Sequence, residues 1–127
     1  MEIINRKHEE VTFKERVVLS SWISIMDHKQ ITISSGACRE FGIQPNLFIH
    51  FINDGDRWYF YCNSDKDGWP LLNVSGKNSV RIANSALIHL FLKRTGRRVP
   101  CKYHLQLTGS KKDGNALIEI MLNKPLI

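Results

Sequence analysis

A short, strongly basic segment is the part of this sequence best suited to chemistry. The run KRTGRR at 93–98 and Lys102 just after it place five cations within ten residues, with no acid among them. Cations at this density engage several phosphate groups, and arginine binds phosphate through two parallel hydrogen bonds. The negative end of a helix dipole would explain the first two cations of the run but not Arg97 and Arg98. The pattern therefore predicts an anion-binding surface.

The distribution of charge along the whole chain supports the same hypothesis. The net charge is +6, but residues 1–76 hold 8 basic against 10 acidic side chains, whereas residues 77–127 hold 10 against 2. This division favours an anionic partner for the second half, nucleic acid above all, although basic charge also serves solubility alone. We predict phosphate contacts from eight residues of this half, namely Arg81, Lys93, Arg94, Arg97, Arg98, Lys102, Lys111 and Lys112.

Other groups of potentially reactive side chains give weaker predictions of function. The aromatic run at 58–61 alternates between two faces of a predicted strand, so one pair belongs to the core and base stacking is disfavoured. Cys62 and His50, on neighbouring predicted strands, suit a thiol–imidazole pair, but no third group orients it. Cys101 and His104 fall on opposite strand faces, which disfavours a shared metal ion. We therefore expect no metal and no cofactor, with a small enzyme as the least favoured class.

The elements that hold these residues begin with a strand–helix pattern in the first half. Strands are expected at 21–26 and 31–33, joined as a hairpin through a polar break. Ser34 or Ser35 then caps a short helix, because a serine hydroxyl accepts a hydrogen bond from a free backbone N–H group of the first turn. Gly42 ends this helix in a left-handed conformation.

A hairpin and a connector complete the first half. Strands at 47–52 and 57–62 flank the Asp-Gly turn at 54–55, and Asp-Gly between apolar runs is a strong hairpin signal. Residues 63–79 are rich in Ser, Asp, Gly and Asn but also contain apolar residues, which predicts a connector that packs onto the core. Ahead of these elements, the apolar residues of 11–19 fit a strand or a helix.

The second half repeats the layout of the first. Its predicted elements are a strand at 80–82, a helix capped by Asn84 or Ser85 and ended by Gly96, and strands at 99–108 and 116–122 around an Asp-Gly turn. Leu107 should share a strand face with Leu105, and Ala116 with Ile118. We predict an α+β fold, mainly antiparallel strands with short helices, in which two βαββ units form barrel-like halves. The halves are 1–76 and 77–127 of one compact domain, and two unrelated βα units would show the same layout.

The first unit resembles the swapped-hairpin fold of the AbrB and MraZ transcription factors. The match consists of the strand at 31–33, Arg39, the Phe-Gly-Ile run at 41–43, Pro45 and the hairpin at 47–61. Residues 79–122 match more loosely, and Ser34 stands where the family usually has proline. The resemblance implies DNA binding by a homodimeric or higher-order barrel without catalysis, as in a transcriptional regulator.

The expected cellular location of the protein follows from its composition. No apolar run approaches the roughly 20 residues of a membrane span, and the N-terminus lacks the apolar stretch of a signal peptide. Three cysteines without a disulfide framework indicate reduced thiols, so we expect a cytoplasmic protein with no membrane partner. The main alternative to DNA binding is a protein–protein module, such as an antitoxin or a mobile-element accessory protein, whose basic half meets an acidic partner.

Overall fold

Antiparallel strands dominate the computed structural model, which describes residues 21–74 and 76–127. The predicted element at 11–19 lies outside the described residues. In chain order the described elements are β1 (Trp22–Ile25), β2 (Ile31–Ile33), α1 (Ser35–Phe41), β3 (Phe48–Asp54), β4 (Arg57–Asn63), β5 (Trp69–Pro70), β6 (Leu72–Asn73), β7 (Val80–Ile82), α2 (Ser85–Thr95), β8 (Cys101–Lys112) and β9 (Asn115–Pro125). The expected mainly antiparallel architecture with short helices is confirmed.

The described strands form one sheet that curls into a nearly closed barrel. Their order is β5-β3-β4-β9-β8-β1-β2-β7-β6, with every neighbouring pair antiparallel. The two ends of this order, β5 and β6, are separated in the chain only by Leu71. That residue is 1% exposed and donates its backbone N–H to the carbonyl of Leu47 at 3.1 Å. The connector predicted at 63–79 therefore packs onto the core and brings the two edges of the sheet together.

Both helices begin and end at the predicted residues. Ser34 accepts a hydrogen bond at 3.1 Å from a backbone N–H in the first turn of α1, and Asn84 accepts one at 2.9 Å in α2. Gly42 and Gly96 follow the two helices, each with φ at +69°, a conformation that favours glycine because it has no Cβ. No helix in the described ranges has the length and apolar composition to cross a bilayer.

The core fills the inside of the barrel and one side of α2. Strand alternation places Trp58 and Phe60 inside, at 3% and 0% exposure, while Tyr59 and Tyr61 face outward, as predicted for the aromatic run. Phe91 of α2 packs edge-on against Trp58, with ring centroids 4.9 Å apart. This contact fixes α2 across one end of the barrel.

The long hairpin β8–β9 departs from expectation in two ways. β8 begins after Pro100, which has no N–H to donate, and continues to Lys112, beyond the predicted end at residue 108. The apolar faces that alternation predicts are also not buried along their whole length, since Leu107 is 48% exposed and Ala116 is exposed as well. Both residues lie beyond the last positions at which β1 and β4 pair with this hairpin. Its outer part therefore projects from the barrel as a two-stranded ribbon.

Candidate nucleic-acid interface

Six of the eight predicted contact residues lie at one end of the barrel, and α2 explains four of them. The side of α2 that faces the barrel carries Leu87, Ile88, Phe91 and Leu92, all buried. Burial of this side leaves Lys93 and Arg94 exposed on the last turn. Gly96 then reverses the chain toward β8, and the exposed Arg97 and Arg98 occupy the reversal. We call Lys93, Arg94, Arg97 and Arg98 the helix-end cluster.

Two arginines of the helix-end cluster are held by neutral groups. Arg94 donates from Nη1 to the amide oxygen of Asn53 at 3.2 Å. Arg97 donates from Nη2 to the backbone carbonyl of Leu122 at 3.1 Å, and its guanidinium lies 5.9 Å from the ring centroid of Tyr103. A guanidinium has five N–H donors, so each keeps several for another ligand. These contacts orient both side chains without neutralising their charge.

A groove of about 440 Å³ separates α2 from the neighbouring strands. Arg94 and Arg97 line this groove together with Arg57, the first residue of β4, and the carboxylates of Asp56 and Glu119 line it too. Hydrogen bonding to Tyr59, followed by the charge of Glu119, raises the pKa of Arg57 above its ordinary value. The sequence alone did not indicate Arg57, because this residue lies in the acidic half and meets the cluster only through the tertiary fold.

The other two residues at this end are an outer-face pair, Arg81 on β7 and Lys102 on β8. Lys102 pairs with Ser24, Ser24 pairs with Thr32, and Thr32 pairs with Arg81. The two cations therefore lie at the two ends of one row across four strands. Lys102 Nζ lies 3.9 Å from the ring centroid of Trp22, a neutral partner that leaves the ammonium charged.

The remaining two predicted residues occupy a separate position. Lys111 and Lys112 are exposed at the tip of the β8–β9 ribbon, next to the Asp-Gly turn. Lys111 lies nine residues beyond Lys102 along β8, past a register shift between Leu107 and Lys111. The structure therefore divides the predicted set into one basic end of the barrel and one basic ribbon tip.

The basic end also carries two stacked histidines that sequence reasoning did not single out. His28, in the turn between β1 and β2, lies against His89 of α2, with ring centroids 5.2 Å apart and ring planes 11° apart. Both side chains are exposed. Residues 61 positions apart leave no local sequence signal of such a contact. Their ring N–H groups add hydrogen-bond donors to the surface.

The hypothesised thiol–imidazole pair is wrong. Cys62 pairs with Ile49 and shares its inner face, whereas His50 pairs with Tyr61 on the outer face. His50 stacks on Tyr61 at 4.8 Å between centroids, and its Nε2 lies 2.8 Å from the side-chain oxygen of Asn63. Burial raises the pKa of the Cys62 thiol to about 12, so it stays protonated at neutral pH.

Neither a metal site among the described residues nor a comparison with known proteins indicates a function. Within residues 21–74 and 76–127, no three His, Cys, Asp or Glu side chains are grouped to hold a metal ion. A scan against protein-family models finds no match, and searches of curated proteins and of solved structures find none either. The function has to be argued from the charge and geometry of the basic end.

Proposed function

We propose that the protein is a non-enzymatic DNA-binding protein and that it acts as a transcriptional regulator. The helix-end cluster and the outer-face pair contact the phosphates, and the acidic first half supports the fold. The observation that carries the proposal is that Arg94, Arg97 and Lys102 are oriented by neutral groups. Cations already paired with carboxylates would have to give up those partners to bind phosphate, and these three have no such pair within residues 21–74 and 76–127.

The predicted pair of βαββ units also supports the proposal, through the resemblance to the AbrB and MraZ group. β2 and β7, the first strands of the two units, pair antiparallel around Thr32 and Arg81. Each strand leads into a capped helix and then into a hairpin with an Asp-Gly turn. This arrangement fits two related units that face each other across an approximate two-fold axis. A homodimer, which the resemblance also implies, stays a prediction.

A salt series on paired variants tests the proposed function. Arg97→Gln/Arg98→Gln should weaken binding to a 16-base-pair duplex and lower the salt slope by about 2, because each lost phosphate contact releases about one counterion fewer. Fluorescence anisotropy between low and moderate salt measures both quantities. The matched control is Arg39→Gln/Lys66→Gln, which removes two exposed cations from the first half and should leave the slope unchanged.

Three results would contradict DNA binding at this end. The wild-type protein could show no affinity for duplex DNA at low salt. The Arg97→Gln/Arg98→Gln variant could bind as the wild type does. Capture of an acidic protein that survives nuclease treatment, with no DNA affinity, would favour the protein–protein alternative. Thermal unfolding of both variants checks that the loss of the Arg97 contact to Leu122 has not unfolded the chain.

A further inference from the structure

The exposed side of α2 differs in composition from a helix side that contacts only water. Ala86, His89, Leu90 and Lys93 are all exposed and follow the spacing i, i+3, i+4 and i+7, so they form one strip along the helix. Lys93 is the only Lys, Arg, Asp or Glu among them, and Leu90 is 40% exposed. A solvated helix side normally carries charged and polar side chains. The strip therefore has the composition of a contact surface.

The surroundings of this strip favour an anionic partner. α2 contains no acidic residue, and the helix-end cluster begins on its last turn. The groove beside α2 is lined by three arginines and two carboxylates, so one positive charge is in excess there. The turn that places His28 against His89 holds one acid, Asp27. Its Oδ1 accepts hydrogen bonds from the backbone N–H groups of Lys29 and Gln30, at 2.8 and 3.3 Å, which directs that oxygen into its own turn.

The dimensions of α2 suit the major groove of duplex DNA. The helix has 11 residues. A helix of this length rises about 16 Å and is about 10–12 Å across with its side chains. The major groove of B-DNA is about 12 Å wide and admits a helix. Ala86 lies near the N-terminal end of the strip, where its small side chain lets the helix backbone approach the base edges.

We infer that the exposed strip of α2 enters the major groove and that His89 and Leu90 determine which base sequence is preferred. The His89 ring supplies a hydrogen-bonding group whose orientation is restricted by the stack on His28. Leu90 supplies an apolar contact of the kind that recognises the methyl group of thymine. The helix-end cluster holds the phosphates beside the groove. The inference rests on the proposed DNA binding and adds sequence recognition, which phosphate contacts do not provide.

Selection by the wild-type protein from a library of random 16-base-pair duplexes should enrich a preferred sequence. His89→Ala/Leu90→Ala should lose about fivefold or more in affinity for that duplex, because base contacts are removed. Its affinity for a shuffled duplex and its salt slope should match those of the wild type, since every phosphate contact remains. Leu107→Ala truncates a comparably exposed leucine in the ribbon and is the matched control, which should bind as the wild type does.

A dimethyl sulfate footprint of the wild-type protein on the selected duplex tests the groove without any variant. The reagent methylates guanine N7 in the major groove and adenine N3 in the minor groove, and α2 should protect guanine N7. Unprotected guanine N7, no enriched sequence, or an unchanged affinity of His89→Ala/Leu90→Ala would overturn the inference while leaving phosphate-mediated DNA binding in place. Absence of wild-type binding to any duplex at low salt would overturn both.

Discussion

The two hairpins built around Asp-Gly turns have the same local chemistry and different roles. β3 and β4 have seven residues each and pair along their whole length, and their turn carries Asp54 and Asp56. β8 and β9 have 12 and 11 residues and extend past their neighbours, and the basic side chains Lys111 and Lys112 precede their turn. The same turn signal thus ends either a supporting element or a projecting one. Strand length and neighbouring strands decide which.

Truncating one apolar side chain in each hairpin should give the largest difference between the two, measured as a loss of unfolding free energy. Phe60→Ala should cost about 3–5 kcal/mol of unfolding free energy, because Phe60 is 0% exposed in the middle of the barrel. Leu107→Ala in the ribbon should cost less than about 1 kcal/mol, since Leu107 is 48% exposed. Chemical denaturation measures both values. Similar costs for the two changes would show that the ribbon is part of the core.

Substitution of Gly68, which follows the first hairpin, should have the next largest effect on stability. A Cβ at Gly68 would lie 2.6 Å from the backbone oxygen of Ile49 and 2.8 Å from Nε2 of His50. Gly68→Ala should therefore cost about 1–3 kcal/mol, as expected for overpacking against backbone. Ser64→Ala, exposed in the same loop, is the control and should change the denaturation midpoint little. A neutral Gly68→Ala would mean that this loop does not pack on β3.

The acids of the first hairpin should oppose DNA binding, because their turn lies beside the helix-end cluster. Asp54→Asn/Asp56→Asn should raise affinity for a 16-base-pair duplex by roughly two- to fivefold at low salt, with a smaller gain at high salt. Asp65→Asn/Asp67→Asn, in the loop after β4, removes two charges far from the cluster and should have little effect. Equal gains from the two variants would show that net charge, and not position, controls affinity.

The buried parts of the two hairpins should respond alike to alkaline pH. Burial raises the pKa of Cys62 in β4 from 9.0 to about 12 and that of Tyr103 in β8 from 10.0 to about 12. The unfolded chain ionises these groups first, so their contribution to stability is complete below pH 9 and is lost as the pH rises toward 12. Denaturation midpoints across that range should fall less in Cys62→Ala/Tyr103→Phe. An unchanged pH dependence would assign the loss to other groups.

Local signals in the sequence identified most of the elements. Ser34, Asn84, Gly42 and Gly96 cap the helices as predicted, since each acts through hydrogen bonds or backbone angles within its own turn. The exposure of Leu107 could not be predicted, because alternation along a strand does not reveal where the neighbouring strand ends. The short strands β5 and β6 were missed for a related reason, since two residues show no periodicity.

Only part of the candidate site could be predicted from the sequence. The cluster at 93–98 was visible as a run of charges, and its position at the end of α2 follows from Gly96. The contribution of Arg57 required the contact between the first hairpin and α2, which no local pattern encodes. The separation of Lys111 and Lys112 from the other cations followed from the length of β8, which alternation underestimated.

The most direct test of the central claim is a map of amide chemical-shift changes when a 16-base-pair duplex is added to the labelled protein. We expect the largest changes at Arg81, at 93–98 and at Lys102. We expect little change in α1 or in the loop at 64–68. Changes concentrated in α1 and that loop, with none at 93–98, would contradict DNA binding by the basic end of the barrel.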